Sequence, residues 1–207
     1  MISLEAISKS HGQRQLFKEY SLSVSKGEFV AIMGKSGSGK TTLLNIMSFI
    51  DKPDSGNIEV LGHKNPKRGV LRDLRKNHFG FIFQNYVLLN EKTIYQNLLI
   101  SKPVSTPKKN LESEFSEALE TVGLDRSRLH KPVYELSGGE QQRLAIARVL
   151  VKPYSIVFAD EPTGNLDDAN KQIILELFKG IQKSGKTIVC VTHDSSFAQH
   201  STRIVNI

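Results

Sequence analysis

Apolar and polar positions alternate along Met1 to Ile7 and again along Ser21-Leu22-Ser23-Val24, the period-two pattern of half-buried strands in an antiparallel sheet. Elsewhere the alternation disappears. Phe29-Val30-Ala31-Ile32-Met33, Phe79-Gly80-Phe81-Ile82-Phe83, Ser155-Ile156-Val157-Phe158-Ala159 and Thr187-Ile188-Val189-Cys190-Val191 are apolar nearly throughout, as strands covered on both faces must be. Asn57 to Leu61 predicts a further strand after the break at Lys52-Pro53-Asp54-Ser55-Gly56. From Tyr86 to about Val151 the character is helical, interrupted by a Pro- and Lys-rich break from Lys102 to Lys109. Within it, Phe115, Ala118, Leu119 and Val122 follow a helical spacing, and Gly123 fits the C-terminal cap. A helix from Asn170 to Lys183 separates the last two apolar strands. Strands alternating with helices predict an α/β fold with a mostly parallel core sheet, an N-terminal antiparallel β subdomain and an inserted α-helical subdomain.

One of the apolar strands runs into Gly34-Lys35-Ser36-Gly37-Ser38-Gly39-Lys40-Thr41-Thr42, which fits G-x-x-x-x-G-K-[ST] and is followed by a helix opening. Glycines allow the backbone to turn tightly and aim several N–H groups at one point, and the helix adds its free N–H groups and positive dipole end. Ser36, Gly37, Ser38, Gly39, Lys40, Thr41 and Thr42 are therefore candidate phosphate-binding residues in a P-loop NTPase core. Lys40 is suited to neutralise β- and γ-phosphates, and the Thr41 hydroxyl to ligate Mg2+. The core is expected over residues 1–84 and 151–207, with residues 85–150 as the helical subdomain of a single domain.

Composition narrows the class only a little. A length of 207 residues suits one domain, and hydrophobic and charged fractions of 39% and 24% are those of an ordinary globular protein. No run approaches the ~20 apolar residues of a membrane span, and the first residues lack the pattern of a signal peptide. A cytosolic protein is expected. Cys190, within an apolar strand, reads as a buried inert thiol. The net charge of +7 suits nucleic acid, an acidic membrane or nucleotide equally. The most basic stretch, His63 to His78, could face acidic lipid or nucleic acid, or be a solvated helix face. No aromatic residues interleave with its charges as a base-stacking platform requires, so it is assigned no function and no nucleic-acid partner is expected.

Two further stretches carry chemistry. Ile156 to Ala159 leads into Asp160-Glu161, a carboxylate pair at the end of a strand. Beside a P-loop, Asp160 is placed to hold Mg2+ and Glu161 to polarise an attacking water. In Leu136-Ser137-Gly138-Gly139-Glu140-Gln141-Gln142-Arg143, Ser137 caps a helix expected from Glu140 to Leu150, making a second anion-binding N-terminus.

With Leu136 to Gln141 as its signature motif, the sequence resembles the ATP-binding subunit of an ABC transporter along essentially its whole length. The other family motifs follow in order. Gln84 matches the Q-loop, Asp160 and Glu161 the Walker B and catalytic positions, Asn165-Leu166-Asp167 the D-loop, and His193 the switch histidine. The resemblance implies two copies facing head to tail around two ATP molecules. Each ATP would meet Lys40, Thr41, Thr42, Gln84, Asp160, Glu161 and His193 of one copy and Ser137, Gly139 and Glu140 of the other. Gln84 would join Thr41 and Asp160 around Mg2+, and join Glu161 and His193 in catalysis. Asp167 would carry contacts across the dimer. His11 stands where the family usually has an aromatic residue that stacks on adenine. Imidazole stacks over less area, so weaker base affinity is expected. The remaining histidines read as surface or packing residues.

Asp160 to Asp167, Ser137 to Arg143 and Phe79 to Gln84 resemble the subgroup that powers macrolide exporters, lipoprotein release and cell-division complexes. The short length is similar to ATPases proposed to export bacteriocins of the lactococcin 972 type. The implied function is an ATP-hydrolysing motor that drives a separate membrane permease, for export of peptide, bacteriocin, antibiotic or lipoprotein, held peripherally at the inner face of the membrane. Asn85 to Asn97, with Tyr86, Val87, Leu88 and Leu89, is the candidate docking surface, against ordinary subdomain packing. No appended regulatory domain is expected after Ile207. The alternative is a soluble ABC-type ATPase of translation or DNA repair. It is disfavoured because the chain carries a single cassette, with no room for a coiled-coil arm between Thr42 and Leu136.

Overall fold

Side chains on β-strands alternate between sheet faces, and the apolar runs of this chain supply both faces of one central sheet. A computed structural model describes residues 1–103, 106–107 and 109–207; part of the predicted Lys102 to Lys109 break lies outside them. The strands are β1 (Ile2–His11), β2 (Arg14–Val24), β3 (Phe29–Met33), β4 (Ser55–Val60), β5 (His63–Lys64), β6 (Phe79–Ile82), β7 (Ile156–Asp160), β8 (Thr187–Val191) and β9 (Arg203–Asn206). The helices are α1 (Lys40–Met47), α2 (Arg68–Asn77), α3 (Ile94–Leu99), α4 (Leu111–Thr121), α5 (Gly138–Leu150), α6 (Asp168–Lys183) and α7 (Ser195–Ala198).

The central sheet has the order β6-β7-β8-β3-β9, and every neighbouring pair in it is parallel. The second sheet, β2-β1-β4-β5, is antiparallel. This is the expected architecture. Val30, Ile32, Phe79, Phe158, Val189 and Val191 pack with α1 and the antiparallel sheet. Phe29, Val157, Ala159, Ile188 and Cys190 point the other way, among residues of α3, α4, α5 and α6. Each large side chain so buried contributes about 1.5–3 kcal/mol, so both layers hold the P-loop strand in place. Phe79 and Phe158 meet edge to face at 5.2 Å.

Several boundaries differ from the expectation: β2 begins at Arg14 rather than Ser21, β4 at Ser55 rather than Asn57, and α6 at Asp168 rather than Asn170. β1 runs on to His11, because β2 pairs with it as far as His11 and Arg14, whereas β4 accompanies it only to Ser8. α4 spans Leu111–Thr121 and buries the spaced residues Phe115, Ala118 and Leu119. α5 begins at Gly138 rather than Glu140. Its first turn is held by a reciprocal cap, Glu140 N–H donating to Ser137 Oγ at 3.3 Å and Ser137 N–H to Glu140 Oε2 at 2.8 Å. That cap offsets the poor helix propensity of two glycines. The predicted helical region from Tyr86 to Val151 also contains short 3-10 turns at Arg126–Arg128 and Val133–Glu135. α2, in the basic stretch, buries only Leu74, so its charged face is solvated. Among the described residues, no helix is long and apolar enough to cross a membrane.

Candidate active site

Parallel strands deliver their carboxyl ends to one edge, and the loops that follow β3, β6, β7 and β8 meet there. After β3 the chain turns through Gly34 to Gly39 into α1. Gly39, at the helix N-cap, has φ +100°, and a β-carbon there would sit 2.9 Å from Phe17 Cζ. Only glycine meets both conditions. Lys40 arches back over the loop, its Nζ donating to Gly34 O at 2.9 Å and Lys35 O at 3.0 Å. Its charge therefore lies beside the backbone cradle.

β8 lies between β3 and β7, and this order brings Asp160 to α1. Thr41 Oγ1 donates to Asp160 Oδ1 at 3.1 Å, so two hard oxygen donors stand side by side. Burial pushes the Asp160 carboxyl up, and the Glu161 charge adds to it, outweighing the Thr41 hydrogen bond and Lys40. A carboxylate in that setting gains from a nearby cation. Glu161 takes a left-handed φ of +47°, a costly conformation for a non-glycine residue, fixed by its N–H donating to Val191 O at 2.9 Å. This turn brings Glu161 Oε2 to 2.9 Å from His193 Nδ1, and the His193 backbone N–H donates to the same oxygen at 3.2 Å. The Glu161 side chain is only 13% exposed whereas His193 is 71% exposed. The acid is thus sheltered and its histidine partner faces outward.

A cavity of about 490 Å³ joins these groups. Ser36, Gly37, Gly39, Lys40, Thr41, Thr42, Gln84, Asp160, Glu161, His193 and His11 all line it. Ser38 does not: its Oγ is buried under the loop, and a β-carbon on Gly34 would lie 2.6 Å from it. Ser137, Gly139 and Glu140 do not line it either. They form the amino end of α5, where the Glu140 carboxylate is committed to the cap and to Arg128 Nη1 at 2.6 Å. Burial alone would raise the Glu140 carboxyl. The Ser137 N–H, the Arg128 charge and the Ser137 hydroxyl outweigh that and hold it below the usual range.

Arg14 and Leu16 complete the lining and escaped the sequence reading. Arg14 Nη1 would be 3.4 Å from a β-carbon on Gly37, so the guanidinium lies over the phosphate loop. The available signal was the period of β2, which puts residues 14 and 16 on one face, next to the hairpin that carries His11. Cys190 is fully buried, and burial raises its thiol well above the ordinary value.

The ABC transporter family model matches residues 17–164. The lipoprotein-releasing system ATP-binding protein LolD of Bacteroides fragilis is 41% identical over 100% of this chain and 97% of its own length. The macrolide export ATP-binding/permease protein MacB of Chlorobium phaeobacteroides is 44% identical over 89% of this chain, which spans 28% of MacB. The solved dimer of the ATP-binding cassette MJ0796 with ADP and Pi superposes with a TM-score of 0.89 at 33% identity, covering 100% of this chain and 94% of MJ0796. The P-loop, the carboxylate pair and these likenesses agree, and the chain belongs to the ABC transporter family as an ATP-binding subunit that hydrolyses ATP.

Proposed function

We propose that the chain is the motor of an exporter or extraction system, closing head to tail with a second copy on ATP and driving a separate membrane permease. The observation that carries this reading is the incompleteness of the cavity. It holds the phosphate cradle and the acids, whereas Ser137 and Gly139, at a second helix N-terminus, line no part of it. A second copy would complete the cage by presenting its own α5 N-terminus to the γ-phosphate.

In this reading the P-loop N–H groups and Lys40 bind and orient the phosphates, Arg14 adds charge beside them, and His11 stacks on the base. Glu161 accepts a proton from the attacking water, and His193 holds Glu161 and the γ-phosphate in line. Among the described residues no group of three or more His, Cys, Asp or Glu side chains gathers to hold a metal unaided. Mg2+ commonly binds through one or two carboxylates plus substrate phosphates. The paired oxygens of Thr41 and Asp160, with Gln84 on the same wall, fit such an ion. When bound, it would neutralise charge between the β- and γ-phosphates.

Residues 85–150 act as the moving helical subdomain on a core of residues 1–84 and 151–207. Val87 and Leu89 are 52% and 50% exposed, and they support permease docking on the segment after Gln84. Arg148 braces this segment by donating to the Tyr86 and Val87 carbonyl oxygens. The relatives named for lipoprotein release and macrolide export support an outward or extracting direction.

Glu161→Gln tests the reading. Removing a general base costs roughly 10²–10⁴ in turnover, so ATPase activity should fall by that factor while ATP binding persists and an ATP-dependent dimer accumulates. That dimer, gently solubilised from native membranes, should bring a multi-spanning permease with it. Turnover within about threefold of the parent, a difference worth under ~1 kcal/mol, would remove Glu161 from its role. Recovery of ribosomes or DNA alone would remove transport.

A further inference from the structure

The amino half of α5 meets the loop after Glu161 at a contact to which the chemistry above gives no role. Asp167 caps α6 by accepting the Asn170 backbone N–H at 2.7 Å. That bond alone makes the cap. Yet the Asn170 side-chain amide also donates to both Asp167 oxygens, at 3.0 Å each, and its own oxygen accepts from Arg143 Nη1 of α5. An acid on one side and a cation on the other decide which way this amide points. One residue earlier, Gln142 is 1% exposed and donates through Nε2 to Pro162 O at 2.7 Å.

The contact is close and costly to break. A β-carbon on Gly139 would lie 2.4 Å from Asn170 Cγ and Oδ1, so the Asn170 side chain lies directly against the α5 backbone, where only glycine leaves room for it. Arg143 Nε is buried with no partner among the described residues, which leaves the bond to Asn170 as compensation for the guanidinium. Losing that acceptor would leave a second nitrogen of this half-buried guanidinium without its protein partner.

We infer that Asn170 is a positioning residue: with Gln142 as a second anchor, it joins Arg143 to Asp167 and makes the signature end of α5 and the loop 161–167 move as one body. The inference rests on the head-to-tail reading. There, Ser137 of a chain serves one nucleotide and Glu161 of the same chain serves the other. A stiff link between them couples the two nucleotide sites, since a displacement imposed at one is delivered to the other.

The test compares Asn170→Ala, Arg143→Met and the double variant in the full chain. Hydrolysis is followed against ATP concentration, with ADP affinity and melting temperature measured on the same samples. Each single variant should lower kcat about tenfold and bring the Hill coefficient from about 2 toward about 1, with ADP affinity within about twofold of the parent. The double variant should be no worse than the poorer single, because both changes break one link. Losses that multiply in the double variant overturn the inference. So does an unchanged Hill coefficient with kcat falling only as melting temperature falls. A parent protein that hydrolyses ATP without cooperativity would instead refute the head-to-tail reading, before any variant is compared.

Discussion

Gly80 sits fully buried in β6, facing the last turns of α5, and it sets how closely the signature helix approaches the core sheet. A β-carbon at Gly80 would lie 2.4 Å from Val149 Cγ1, and the opposing atom belongs to a short branched side chain that is itself 3% exposed. Val149 has one torsion and no space to yield, so Gly80→Ala must push α5 outward or force Val149 off its rotamer. Such overpacking costs about 1–3 kcal/mol, partly offset by the ~0.4–1 kcal/mol that alanine gains over glycine through the unfolded chain. A net loss of about 1–2 kcal/mol should lower the melting temperature by roughly 2–8 °C in a chain of this size. Val149→Ala alone should also destabilise, by about 1–3 kcal/mol, through the cavity it leaves. Combined, the new methyl occupies that cavity. The double variant should be more stable than the sum of the singles by at least about 1 kcal/mol. Differential scanning calorimetry of the four proteins measures this. A Gly80→Ala protein as stable as the parent, or strict additivity in the cycle, would refute the packing argument.

Other consequences are simpler to check. Glu140→Gln keeps the cap's shape but removes its charge. Because the folded carboxyl is held below its unfolded value of about 4.3, the stability it adds should be full above about pH 5 and fade on acidification; a parent-minus-variant difference that grows below pH ~4 contradicts this sign. Cys190 should resist thiol reagents in the folded protein and react only on denaturation, since the thiol is buried and held protonated. Arg14→Ala should weaken ATP binding about three- to tenfold, a loss of ~0.7–1.4 kcal/mol for a partly solvated charge, and unchanged affinity would take Arg14 out of the site.

The P-loop, the acid pair after Ile156 to Ala159 and the Ser137 cap were legible from sequence because each is a local device. Its chemistry depends on residues within a few positions, whose backbone geometry the glycines, cap and apolar run dictate directly. The α/β class followed from the same local patterns, since five-residue apolar runs rich in β-branched and aromatic residues suit strands buried on both faces. The resemblance to the family supplied Gln84 and His193, which no local spacing marked.

What the residues do together was decided by the strand order β6-β7-β8-β3-β9. That order alone brings Asp160 to Thr41, positions 119 residues apart, and Glu161 to His193, 32 apart. Arg14 over Gly37, and Asn170 between Arg143 and Asp167, are of the same kind. The tertiary structure also buried the Ser38 hydroxyl under its own loop and kept Ser137 and Gly139 away from the cavity. The physical reason is one of range. Propensity and capping act over a turn of chain, whereas the partner of a side chain across a sheet is chosen by the packing of the whole core.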